Sequence, residues 1–171
     1  MARAVALAVR PRDFFCRHVT ARALLLVCGL CLPGTPASGQ IAVLGDRDLN
    51  FGAVTAGVTT IVSPADAVKS GQWTITAPIG TRIRLRMTTP VNLLGPGSAT
   101  LPVAFLNGDA FIQEIATGSL PDYFNPKSNV NFQFENSNQA MVRLGGRASP
   151  TSGQTAGGYA NTATITITVV N

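Results

Sequence analysis

The chain has 171 residues, a formal net charge of +5, three cysteines and one histidine. Cys16, Cys28, Cys31 and His18 all fall within residues 1–39, together with Arg3, Arg10, Arg12, Arg17 and Arg22 against Asp13 alone. Residues 40–171 hold eight basic and seven acidic side chains and no cysteine or histidine. That excludes from them a disulfide framework, Cys/His zinc sites and Ser-His-Asp or Cys-His catalysis, and a near-neutral balance removes the basis for a nucleic-acid partner.

Residues 1–39 read as a signal peptide. A basic region runs to Arg22, an apolar stretch follows from Ala23 to Leu32, and small residues lead from Pro33 to Gly39. About ten apolar residues suit a signal's hydrophobic core and are too few to cross a bilayer. Cleavage after Gly39 is expected, with Ala37 as the alternative. The remaining chain, residues 40–171, suits one domain with its own core and carries no membrane span.

Along that domain no helical periodicity is sustained, whereas short β-branched and aromatic runs recur between Gly, Pro, Asn and Asp. Gln40–Leu44 is an apolar lead-in and Gly45–Asp48 a turn. Leu49–Val54 reads as the first strand, with Leu49 and Phe51 on one face, and Val58–Ser63 as the second. Gln72–Ala77 alternates with Trp73 and Ile75 inward. Thr81–Met87 alternates throughout, with Ile83, Leu85 and Met87 on one face and Arg82, Arg84 and Arg86 on the other. The last two runs form a hairpin or a corner between sheets. A short extended piece is expected at Val91–Leu94, and a strand over Thr100–Leu106 that Pro102 confines to an edge or bulge. Ala110–Lys127 gives no pattern. Asn129–Glu135 turns Val130, Phe132 and Phe134 inward, and Ala140–Leu144 ends at Gly145-Gly146.

In the last run, Ala163, Ile165, Ile167 and Val169 alternate with Thr162, Thr164, Thr166 and Thr168. Such a strand buries one face and wets the other. With nothing following to cover it, it is expected at a sheet edge, where unused backbone groups invite pairing with another chain. About eight or nine strands at this spacing predict an all-β, antiparallel, immunoglobulin-like sandwich, with a barrel as the alternative.

Few constellations carry chemistry. Arg82, Arg84 and Arg86 could hold an anionic ligand or an acidic partner, against the plainer reading of a solvated face. Asp46 and Asp48 could open a calcium loop, but the third acid and distal Glu are missing; a capped turn is the plainer reading. Asp109, Glu114 and Asp122 could include a glycosidase pair, against solvated loop carboxylates. Tyr159 is either a tyrosine corner or an exposed loop residue. No enzyme activity, cofactor or metal is expected.

Leu49-Asn-Phe-Gly-Ala-Val54, Trp73-Thr-Ile-Thr-Ala-Pro-Ile-Gly80, and Leu144-Gly-Gly-Arg147 leading to Gly158-Tyr159 and the Thr/Ile strand resemble a family of secreted bacterial β-sandwich domains. That family is similar to spore-coat-U-like proteins and chaperone–usher pilus (fimbrial) subunits. The resemblance implies an exported structural subunit acting by strand complementation, with a periplasmic chaperone and other subunits as partners. Ala163, Ile165, Ile167 and Val169 would be the groove-facing set, and Ile41 and Val43 a short donor. The chain departs from the pattern in ending Val170-Asn171 where an aromatic is usual, and in an N-terminal extension of only Gln40–Asp48 with few apolar residues, so it could receive a strand without giving one, or complement itself. The alternative is a self-contained periplasmic or extracellular module binding a ligand such as a glycan, through its loops or the arginine stripe.

Overall fold

The structure, a computed structural model, describes residues 40–116 and 118–170. The signal-peptide reading of residues 1–39 lies outside the described residues. Among the described residues the fold is an all-β antiparallel sandwich of twelve strands: β1 (Ala42–Arg47), β2 (Thr60–Val62), β3 (Gly71–Thr76), β4 (Arg82–Thr88), β5 (Asn92–Leu94), β6 (Thr100–Ala104), β7 (Ala110–Glu114), β8 (Asp122–Phe124), β9 (Val130–Gln133), β10 (Gln139–Leu144), β11 (Gly146–Ala148) and β12 (Thr164–Val169). The excess over eight or nine comes from β1, expected as a lead-in and turn, and from β7, β8 and β11, for which the sequence shows no alternation; β8 and β11 have three residues each, too short to show a period. A 3-10 turn, Pro96–Ser98, follows β5.

Three sheets form, in the orders β1-β3-β10-β7-β8, β2-β11-β6-β5 and β12-β4-β9. Their apolar faces share one core. The five-stranded sheet supplies Trp73, Ile75, Ile112 and Val142, the four-stranded sheet Val62, Leu101 and Ala148, and the three-stranded sheet Ile83, Leu85 and Met87. Trp73 is buried, as its place in the alternation predicts. Two of the places where the chain passes between sheets are tight corners. Pro78-Ile79-Gly80 carries it from β3 to β4, so that pair is a corner and not a hairpin. Gly145 carries it from β10 to β11. A Cβ there would meet the Val62 carbonyl oxygen at 2.3 Å and the Pro64 nitrogen at 2.6 Å, so the crossing needs a residue without one.

Three local expectations change. Leu49–Val54 is not a strand. Leu49 and Phe51 are buried, but Gly52 adopts φ +72° and its N–H bonds back to the Asn50 side chain, which bends the segment out of extended geometry. The turn placed at Gly45–Asp48 is instead largely the end of β1, which passes Gly45 through a shift in register against β3. Pro102 sits in β6, an interior strand. The β11–β6 ladder runs only through Arg147–Ala104 and Ala148–Val103, and beyond it Ser149 donates to the Pro102 carbonyl at 2.9 Å. The missing proline N–H therefore falls where the ladder ends.

Candidate functional site

β12 pairs with β4 through Thr164–Thr88, Ile165–Met87, Thr166–Arg86, Ile167–Leu85, Thr168–Arg84 and Val169–Ile83. Facing residues in an antiparallel pair share a side of the sheet, so Ile165, Ile167 and Val169 lie on the core side with Met87, Leu85 and Ile83. The cover on that side is uneven. Ile83 and Leu85 are 0 % exposed, Ile165 and Ile167 are half-buried, and Val169 is 54 % exposed. The core's roof thins across a single strand spacing.

The backbone of β12 follows the same division. Val170 donates its N–H to the Arg82 carbonyl at 2.9 Å. Hydrogen-bonded positions alternate in an antiparallel ladder, so Thr164, Thr166 and Thr168 bond to β4. The N–H and C=O groups of Ile165, Ile167 and Val169 point the other way. β12 is the outer strand of its sheet, and no strand pairs with that side among the described residues. The half-covered side chains and the outward backbone groups thus belong to the same three residues. Ala163, just before the strand, is half-buried and packs on the same core.

Ile41 and Val43 lie at the outer strand of a different sheet. β1 pairs antiparallel with β3, Val43 opposite Ile75, and both apolar residues pack, half-buried, on the core that Ala163, Ile165 and Ile167 also touch. The two edges are not hydrogen-bonded to each other but border one apolar interior.

On the solvent side of β4, Arg82, Arg84 and Arg86 are exposed. Arg82 Nε donates to Gln133 Oε1 at 2.9 Å and Arg84 Nε to Asn131 Oδ1 at 3.3 Å. The stripe expected from the alternation exists, and neighbouring strands flank it with threonines and amides.

The three middle-segment acids do not gather. Asp109 precedes β7 and Glu114 ends it, about 17 Å apart along an extended strand, too far for a glycosidase pair. Neither is solvated. Asp109 is buried and accepts the Leu106 N–H at 2.7 Å. Glu114, 7 % exposed, accepts the backbone N–H of Glu135, and its oxygens accept the Asn136 N–H at 3.1 Å and the Asn136 side-chain amide at 3.3 Å. Desolvation pushes its carboxyl upward, but these donors outweigh it and hold the group below the usual carboxylate value. Only Asp122 is exposed. Asp46 accepts Thr74 Oγ1 at 2.6 Å and Gln72 Nε2 at 3.3 Å, so it stitches β1 to β3. Among the described residues no group of three or more Asp, Glu, His or Cys gathers as a metal site.

Two features had no sequence signal. Arg47 bonds the Ser70 carbonyl at 2.8 Å and Gln72 Oε1 at 3.2 Å, while Arg143 lies 5.9 Å over the Phe111 ring; only strand register brings these residues into one row. A cavity of about 510 Å³ opens between residues 50–56, β5, β6 and the 150–159 loop, with Phe51, Leu93, Leu101 and Tyr159 in its lining. Tyr159 is buried and donates its hydroxyl to the Thr155 carbonyl at 2.6 Å, accepting Gln154 Nε2 at 2.7 Å. That is the tyrosine-corner geometry of the two alternatives. Compared with protein-family models, characterised proteins and solved structures, the chain matches none.

Proposed function

We propose that the protein is an exported structural subunit of a bacterial surface or fimbria-like assembly, acting by β-strand complementation and not by chemistry. Its partners would be a periplasmic chaperone and further subunits. The uneven cover over β12 carries the reading: Val169 is 54 % exposed while its cross-strand neighbour Ile83 is 0 % exposed, and the backbone beside Ile165, Ile167 and Val169 is directed outward. An added strand would satisfy those backbone groups and roof those side chains together. Ala163, Ile165, Ile167 and Val169 are the receiving set. Ile41 and Val43, on the other edge bordering the same interior, would line the far side or act as a short donor once released from β3.

The test is assembly of the exported chain, followed by size-exclusion chromatography and unheated denaturing gels. Ladders of oligomers are expected from the wild type. The I165D/I167D variant should lose them or fail to fold, because two carboxylates would face the core. A wild type that stays monomeric at every concentration, or a double variant that assembles normally, contradicts the reading. The cavity beside Tyr159 favours a second reading. Its size falls in the range of small-ligand pockets, and a self-contained periplasmic or extracellular binding module would use it as a stable monomer.

A further inference from the structure

We infer that the solvent face of the three-stranded sheet is a binding surface for an acidic polysaccharide. The face is built from three strands in register. β4 supplies Arg82, Arg84 and Arg86, β12 the exposed Thr164, Thr166 and Thr168, and β9 Asn131 and Gln133. Thr166 lies opposite Arg86, Thr168 opposite Arg84, and Asn131 opposite Arg84 on the other side. Arg84 therefore stands between a hydroxyl and an amide, with Arg86 beside the Thr166 hydroxyl and Arg82 beside the Gln133 amide.

Charge argues for an anionic occupant. No residue of β12, β4 or β9 is acidic, and no carboxylate pairs with any of the three arginines among the described residues. Solvated sheet faces usually intersperse both signs, and like charges along one strand repel. Here three guanidinium groups project at intervals of about 6.8 Å with nothing to neutralise them. They are also aimed. Gln133 and Asn131 hold Arg82 and Arg84 through Nε, leaving their terminal nitrogens free to grip a carboxylate or sulfate in the forked manner of arginine.

The rest of the face selects the class of polyanion. It carries no aromatic ring, which a single-stranded nucleic acid would need for stacking. Its apolar contribution is Val170, half-buried opposite Arg82 at one corner, and one such side chain gives little purchase on a lipid headgroup layer. It does carry hydroxyl and amide groups on both sides of the cations, which can bond the hydroxyls between the charged groups of a sugar chain. The arginine row of β4 lies one strand in from the outer edge of β12, so it stays open whether or not that edge is paired.

The exported chain is tested by titration against heparin oligosaccharides, polygalacturonate and neutral dextran across a salt series. Binding to either acidic glycan and not to dextran is expected, weakening as salt rises, and the stronger of the two identifies sulfate or carboxylate as the group read. R82Q/R84Q/R86Q should weaken binding by about 100-fold, on the order of 5-fold per arginine, with an unchanged melting temperature. In the wild type, ligand-induced NMR shifts should fall on the arginine side chains of β4 and on Thr164–Thr168, a readout that needs no variant. Equal binding to dextran, no binding to either acidic glycan, tighter binding to anionic vesicles or single-stranded DNA, or shifts elsewhere on the protein would overturn the inference.

Discussion

Replacing Glu114 by Gln tests whether a buried carboxylate, and not a solvated one, fastens the turn after β9. In the wild type the carboxylate draws in the backbone N–H groups of Glu135 and Asn136 from a segment more than twenty residues away. A glutamine keeps one oxygen but turns an NH₂ toward at least one of those donors. Hydrogen bonds to a charged group contribute about 1.5–3 kcal/mol, and a buried donor left unpaired costs a similar amount, so E114Q should lose about 2–3 kcal/mol at neutral pH. For a domain of this size that lowers Tm by about 10 °C. The carboxyl is held below its ordinary value of 4.5. The stability it contributes is therefore fully present above that pH and is lost as pH falls through the depressed folded-state value. Urea unfolding between pH 7 and pH 3 should show the wild type losing this increment in acid, and E114Q having already lost it at pH 7. A variant within about 0.5 kcal/mol of wild type at pH 7, with an unchanged acid limb, would refute the reasoning.

Two further substitutions probe the frame around the edge. G145A should cost about 3 kcal/mol by chemical denaturation, because its methyl would sit 2.3 Å from the Val62 carbonyl oxygen and backbone must move; a neutral outcome would show that the β10–β11 corner is looser than described. Y159F deletes the hydroxyl bonded to the Thr155 carbonyl and should cost about 1 kcal/mol while also speeding proteolysis of the 150–158 loop; an unchanged cleavage rate would remove the hydroxyl from any role in fixing that loop.

What the sequence made legible depended on how many faces of a strand are wet. β4 and β12 each have one buried and one solvent face, so their alternation could be read directly, including the sides taken by the arginines and threonines. β7 could not be read. Ala110, Phe111 and Ile112 are buried in succession because it lies inside the five-stranded sheet and Phe111 is covered on the outer face by Arg143 and Tyr123. A strand covered on both faces has no period. Leu49–Val54 misled for the opposite reason. Leu49 and Phe51 have strand-like spacing and are buried, yet Gly52 at φ +72° ends any ladder. The acids were misjudged because their partners are distant in sequence: nothing near Glu114 announces that Asn136 will reach it. The arginine stripe was visible on its own strand, but its flanking threonines and amides became neighbours only through the registers of β12 and β9.

Amide hydrogen exchange along β12 in the isolated chain tests the central claim most directly. Slow exchange is expected at Thr166 and Thr168, which bond to β4, and fast exchange at Ile165, Ile167 and Val169, whose N–H groups face outward, with all five protected once the chain assembles. Uniform protection of these amides in the monomer would mean that the outer side of β12 is already paired, and would contradict the account.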